Sequence, residues 1–239
     1  MEVAETGCPD PFEVACEHCK LYGFLRLLEQ MGLDSSPYFL SRHREIAKGD
    51  RLFETGQTFH GIYAVKKGSF KSHTMADDPE GQISGFYLPG ELLGLDAIRI
   101  GVYGYQATAL EAGLVCLLPF NRLEQLGASV SLFQEQLIQV LVEQVRHDQH
   151  QALLVGRRSA EERLGMFLLN LGERYERHGF GSGEFRLPML QNDIANYLGL
   201  SIETVSRTLR SFREQGLVRV QGRRVSLLDS PRLRSLTRT

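Results

Sequence analysis

The chain has no apolar run approaching the roughly 20 residues that a helix needs to cross a bilayer. Its N-terminus, MEVAETGCPDPFEVACEHC, also lacks the basic n-region and apolar stretch of a secretory leader. Membrane-spanning and secreted classes are set aside, and a cytoplasmic location is expected. Catalytic signatures are missing too. There is no Ser/His/Asp arrangement, phosphate-cradling loop or HExxH pair, so an enzyme is not expected. Cysteine is scarce, with only Cys8, Cys16, Cys19 and Cys116. In a reducing compartment such a set serves as ligands, redox groups or small core residues rather than as a disulfide framework. Net charge is close to balance at −2, which alone excludes a uniformly basic protein.

At 239 residues, 42% hydrophobic and 23% charged, the chain is globular and long enough for two domains. Its charge is divided unevenly. Residues 157–239 carry 15 Arg against 9 Asp and Glu, a net +6, which leaves −8 for residues 1–156. A basic C-terminal part on an acidic remainder suggests a polyanion partner for one end.

From about Ile46 to Pro119, short β-rich runs alternate with glycine turns, as in TGQTFHGIYAVKKGSFKSHT and YQATALEAGLVCLLPF. This pattern predicts a small antiparallel barrel or sandwich. A proline-free stretch follows from about Leu123 to Val155, in which Ile138, Leu141, Val145, Asp148, Ala152 and Val155 keep the alternating three- and four-residue spacing of a two-stranded coiled-coil seam. Asp148 is the anomaly, a charge on an otherwise apolar stripe.

Another helix is expected from GRRSAEER to about Arg177, then a loop, HGFGSGE. QNDIANYLGLSIETVSRTLR has the layout of a helix-turn-helix: Ala195 permits close approach, Gly199 the sharp turn, Ser201 an N-cap, and Val205 plugs the second helix into the first. On that second helix Ile202, Val205, Leu209 and Phe212 are expected to pack, while Glu203, Ser206, Arg207 and Arg210 point outward. Arg donates bidentately to guanine O6 and N7, a carboxylate accepts from cytosine N4, and Ser serves either role. The bland alternative for Glu203 and Arg207 is a surface salt bridge. GLVRVQGRRVSLL alternates around Gln-Gly as a hairpin wing would.

Taken together, GQISGFYLPGELLGLDAI, SAEERLGMFLLNL and EFRLPMLQNDIANYLGLSIETVSR resemble the Crp/Fnr superfamily of bacterial transcription regulators, and its Fnr branch in particular. The resemblance covers nearly the whole chain. It implies an α+β fold with a cysteine-bearing arm (1–30), a sensory β-roll of cupin-like double-stranded β-helix type (31–122), a dimerisation helix (123–157) and a winged helix-turn-helix (158–239). It further implies a homodimer on double-stranded TTGAT-N4-ATCAA operators, read by Glu203, Ser206 and Arg207. The HGFGSGE loop and the region 77–82 match places where relatives touch RNA polymerase.

The cyclic-nucleotide branch of this superfamily holds its phosphate with a GEL turn followed by an Arg-Ser pair. Here Gly90, Glu91 and Leu92 are kept, but the later segment, GVYGYQATALEAG, has no such pair. A phosphate buried without its cation is costly, so no cyclic nucleotide is expected and the GEL is read as a structural turn. Four thiolates are the usual complement of an iron-sulfur cluster or a structural zinc. The Fnr branch uses three N-terminal cysteines and one in a segment matching GLVCLLPF to hold an oxygen-labile [4Fe-4S] cluster, so the resemblance assigns Cys8, Cys16, Cys19 and Cys116. The N-terminal spacing, C-x7-C-x2-C, departs from the familiar C-x2-C-x5-C. Two alternatives stand beside the cluster: the same fold sensing haem-bound gas or thiol oxidation, and a Cys16/Cys19 thiol-disulfide oxidoreductase.

Overall fold

The computed structural model describes residues 13–24, 26, 43–74, 81–119, 135, 137–142, 144–145, 159–181 and 183–237. Cys8, Asp148, Ala152 and Val155 lie outside the described residues.

The glycine-punctuated region folds into two four-stranded antiparallel sheets. One is ordered β1 (His43–Ile46), β8 (Gly113–Pro119), β3 (Gly61–Lys67), β6 (Leu92–Leu93). The other is ordered β2 (Arg51–Phe53), β7 (Gln106–Ala109), β4 (Phe70–Thr74), β5 (Gln82–Tyr87). A short helix, α1 (Ala97–Ile100), lies between β6 and β7. Alternation along β4 buries Phe70 and Ser72, as expected for strands with one face on a core. The core is aromatic: the Phe53 and Tyr103 rings stack with centroids 3.9 Å apart, and Tyr63 stacks on Phe53 at 5.9 Å. Strand β3 is buried along Gly61–Val65. The N-terminal segment covers it: Val14 N–H donates to Lys66 O at 3.0 Å, and Leu21 and Phe24 join the same core.

The described part of the central helix divides its side chains between two sides. Val140 is buried and Leu137 packs on the β-roll core, whereas Ile138, Leu141, Val142 and Val145 are exposed.

The C-terminal part begins at a complete capping box. Ser159 Oγ accepts from Glu162 N–H at 3.2 Å, and the Glu162 carboxylate accepts from Ser159 N–H at 2.6 Å. This starts α2 (Ala160–Arg177). Strand β9 (Glu184–Arg186) follows, then α3 (Gln191–Leu198), α4 (Ile202–Glu214), β10 (Val218–Gln221), β11 (Arg224–Leu227) and α5 (Ser230–Leu236). The hairpin expected around Gln221-Gly222 is present, with Gln221 paired to Arg224. It carries a third strand that the sequence reading missed, because residues 184–186, placed in or just beyond a loop, pair with β11.

The second hydrophobic core runs through α2, α3, α4 and the wing and continues into β5, taking in Ile83 and Phe86, with Leu88 just beyond that strand. The Phe86 ring lies 4.9 Å from Tyr197 and 6.0 Å from Phe167. The C-terminal domain is thus seated on the β-roll by apolar contact, reinforced by Lys71–Asp193 at 2.6 Å and Arg186–Glu111 at 3.1 Å.

Candidate nucleic-acid interface and cysteine site

Helix α3 ends where Gly199 takes the left-handed conformation, φ 61°, which a glycine adopts without penalty. Leu200 N–H closes the turn on Ala195 O at 2.9 Å, and Arg163 Nη1 donates to Leu198 O at 2.9 Å. Ser201 then caps α4, its Oγ accepting from Thr204 N–H at 3.2 Å. Val205, Thr208, Leu209 and Phe212 are buried at i, i+3, i+4 and i+7. They fix the rotation of α4 and leave Glu203, Ser206, Arg207 and Arg210 on the exposed side. One expectation is corrected. Ile202 is 44% exposed rather than packed, because it sits one turn ahead of the buried stripe at the helix end, and Thr208 occupies the packing face instead.

The Glu203 carboxyl is held below its ordinary range by hydrogen bonds from its own backbone amide and from Ser201. It turns to the N-cap rather than to Arg207, and among the described residues no ion pair joins those two side chains. The charges therefore remain available to a ligand. An ionised carboxylate accepts hydrogen bonds, and the exposed guanidiniums of Arg207 and Arg210 on α4, with Arg219 and Arg223 on the wing, supply the positive field a polyanion requires.

Residues 162–236 match the Crp-like helix-turn-helix domain and residues 43–129 the cyclic nucleotide-binding domain. The chain is 40% identical to the transcriptional activator protein FnrA of Stutzerimonas stutzeri over 217 residues, covering 90% of this chain and 89% of that one. The chain belongs to the Crp/Fnr family. It is also 39% identical to the anaerobic regulatory protein of Haemophilus influenzae over 240 residues, covering 100% of this chain and 92% of that protein. The structure of FixK2 from Bradyrhizobium japonicum superposes with a TM-score of 0.75 at 29% identity, covering 83% of this chain and 98% of that one. This Crp/Fnr protein is accordingly an Fnr-type, DNA-binding transcription regulator and not an enzyme.

Of the assigned cysteines, three are described, and all are free thiols. Cys16 opens a single helical turn, Cys16–His18. Cys19 follows it and packs on the β-roll core, whose members include Cys116 on β8. Burial pushes the Cys116 thiol up to about 12, and the charges of Cys19 and Cys16 add to the shift. Cys19 is raised as well, first by burial. On the β3–β8 pair Cys116 lies opposite Ala64, two residues before Lys66. Lys66 Nζ lies 3.6 Å from Cys16 Sγ while also bonding Val14 O at 2.7 Å.

Among the described residues no three His, Cys, Asp or Glu side chains gather as a site for a single metal ion. An all-thiol donor set is the kind an iron-sulfur cluster uses. The Cys19 thiol, raised by burial, lacks the depressed value that a redox-active CxxC cysteine needs.

No helix among the described residues is long and apolar enough to cross a membrane. The GEL turn is a turn, as the sequence suggested. Gly90 N–H donates to Val65 O at 2.7 Å, and Glu91 accepts from Leu88 N–H at 2.9 Å. What the sequence did not reveal is that Glu91 is already engaged by Arg174 of α2, at 2.7 Å from Nε.

Proposed function

We propose that this protein is an oxygen-responsive regulator of anaerobic metabolism genes that acts as a homodimer on TTGAT-N4-ATCAA-like operators. Glu203, Ser206 and Arg207 read bases and Arg210 supports them from the same face. The observation that carries the reading is the rotation of α4, whose opposite side is locked by Val205, Leu209 and Phe212 while the polar side stays open. Dimerisation uses the exposed Ile138, Leu141 and Val145, continuing to Asp148, Ala152 and Val155. No cyclic nucleotide is bound, because the segment after the GEL turn has no Arg-Ser pair to neutralise a phosphate, and Glu91 is engaged by Arg174 within the chain. RNA polymerase is a further partner in this reading.

Cys8, Cys16, Cys19 and Cys116 hold a [4Fe-4S] cluster in this reading, which is supported by Cys19 packing on the core that contains Cys116 and by the contact of Cys16 with Lys66 of β3, the strand paired with β8. When bound, the cluster supplies an oxygen-labile, thiolate-ligated centre. The chain's contribution is to fasten its arm to β3 through Val14 and Lys66, which brings Cys16 and Cys19 toward Cys116. The experiment is operator binding by the anaerobically prepared protein before and after exposure to air, followed by fluorescence anisotropy and absorbance together. Loss of affinity in step with loss of a broad visible shoulder is expected. A sharp Soret band would identify haem instead.

A further inference from the structure

The Gly90-Glu91 turn is where three parts of the molecule meet, and none of the expected functions uses that meeting. From the arm, Lys20 N–H donates to Gly90 O at 3.0 Å. From the β-roll, Val65 O receives Gly90 N–H. From the DNA-binding domain, Arg174 donates through Nε to Glu91 Oε1 at 2.7 Å and through Nη2 to Glu91 Oε2 at 2.5 Å, and Nη2 also reaches Phe86 O. One turn of α2 further on, His178 Nδ1 bonds the carbonyl oxygen of His18, between Cys16 and Cys19, at 2.9 Å. Burial holds His178 below its ordinary value, so its 3.9 Å approach to Glu91 is a contact of a neutral ring rather than an ion pair.

We infer that this turn is a joint through which the seating of the cysteine-bearing arm sets the seating of the DNA-binding domain, with Arg174 and His178 as its positioning residues. Neither lies on the exposed face of α4 and neither is a thiol ligand. The joint is tight and discrete. Gly90 has φ +95° and a Cβ there would collide with the His178 ring; Gly179 has φ +82° and a Cβ there would stand 2.9 Å from His18 Nδ1. Arg174 is 3% exposed and Glu91 8%. Sliding them apart leaves two uncompensated buried charges, so the pair is made or broken as a unit.

Beyond the joint, α2 is continuous with the reading head. Phe167 contacts Tyr197 of α3 at 5.6 Å, and Arg163 caps the end of α3. Lys71 holds the α3-capping carboxylate of Asp193, and Asn196 Oδ1 accepts from Ile83 N–H at 2.7 Å. Any ligand that orders the arm thereby favours one seating of α3 and α4, and by linkage the operator favours an ordered arm. The regulatory meaning of the joint rests on the cluster reading; its mechanical existence does not.

Hydrogen exchange on the metal-free protein tests the mechanics. His178→Gln, which loosens the joint from α2, is expected to speed exchange by about fivefold or more in residues 14–22 and also in 81–88 and 191–198. Phe86→Leu, made at the domain seat, is expected to speed exchange in 14–22. Phe53→Leu, made in the aromatic β-roll core that the arm also joins but away from the Gly90-Glu91 turn, provides the pattern of general destabilisation. Changes confined to the mutated side, or matching those of Phe53→Leu, overturn the joint.

Operator affinity with and without anaerobic iron and sulfide tests its use. His178→Gln is expected to keep the parent's iron content and metal-free affinity while the loaded-to-unloaded affinity ratio falls by about fivefold or more. A merely structural role would lower both affinities alike, and an unchanged ratio refutes the regulatory role. A parent that takes up no iron refutes the cluster reading, and the exchange experiment still decides the joint.

Discussion

Replacing Arg207 with Ala removes a guanidinium from the exposed face of α4 and touches nothing in the core. Its neighbours on the buried side, Val205 and Phe212, are 0% exposed and hold the helix in place without it. The fold should therefore change by no more than about 0.5 kcal/mol. A bidentate guanine contact discriminates by about 1–3 kcal/mol, and a two-fold symmetric dimer makes it twice, so the loss is about 2–6 kcal/mol, or roughly 30-fold to 10⁴-fold in operator affinity. The assay is fluorescence anisotropy at fixed salt with two duplexes, the operator and a version with the contacted G·C pair changed in both half-sites. The parent should separate the two, and Arg207→Ala should bind both with the same weak affinity. Full parental discrimination by the variant would refute the assignment of Arg207 to base reading.

Cys16→Ala and Cys116→Ala should each fail to hold a full cluster when prepared anaerobically, as measured by iron and acid-labile sulfide. If Cys8→Ala alone retains it, a non-cysteine ligand completes the set. Asp148 lies on the 138-141-145-148-152-155 stripe, where two like carboxylates would face each other across a parallel dimer and oppose pairing. Asp148→Ala should therefore be more dimeric in air than the parent by sedimentation, and an unchanged monomer fraction removes Asp148 as the brake. His178 carries a pH signature. Its folded value is depressed, chiefly by burial, so on acidification through about 6.5 the unfolded chain takes up the proton first and stability falls. The loss of thermal midpoint between about pH 7.5 and about pH 5.5 should be smaller in His178→Gln than in the parent.

The reading head was legible because local rules determine it. Apolar residues at Val205, Leu209 and Phe212 set the helix phase, Gly199 the turn and Ser201 the cap, and the structure keeps all of these. Glycine-separated short runs likewise announced the β-roll. Ile202 was misjudged since periodicity does not say where a neighbouring element ends. Strand β9 was missed because three residues carry too little pattern to separate a strand from a loop. On the central helix the spacing of Ile138, Leu141 and Val145 marked the side they share, but not that Leu137 and Val140 would pack on the roll. The Glu91–Arg174 pair spans 83 residues, and nothing in either local sequence announces a partner that only the tertiary fold supplies. The GEL motif, read as a turn, thus concealed its contact with the DNA-binding domain.

The central claim is that one chain couples a thiolate-held cluster to the reading head of α4. The most direct measurement is iron and acid-labile sulfide in anaerobically purified protein, with operator affinity determined on the same sample before and after air. The account requires about four of each per chain and a loss of affinity that follows cluster loss. Protein that binds the operator equally in both states, or that holds neither iron nor sulfide, would contradict it.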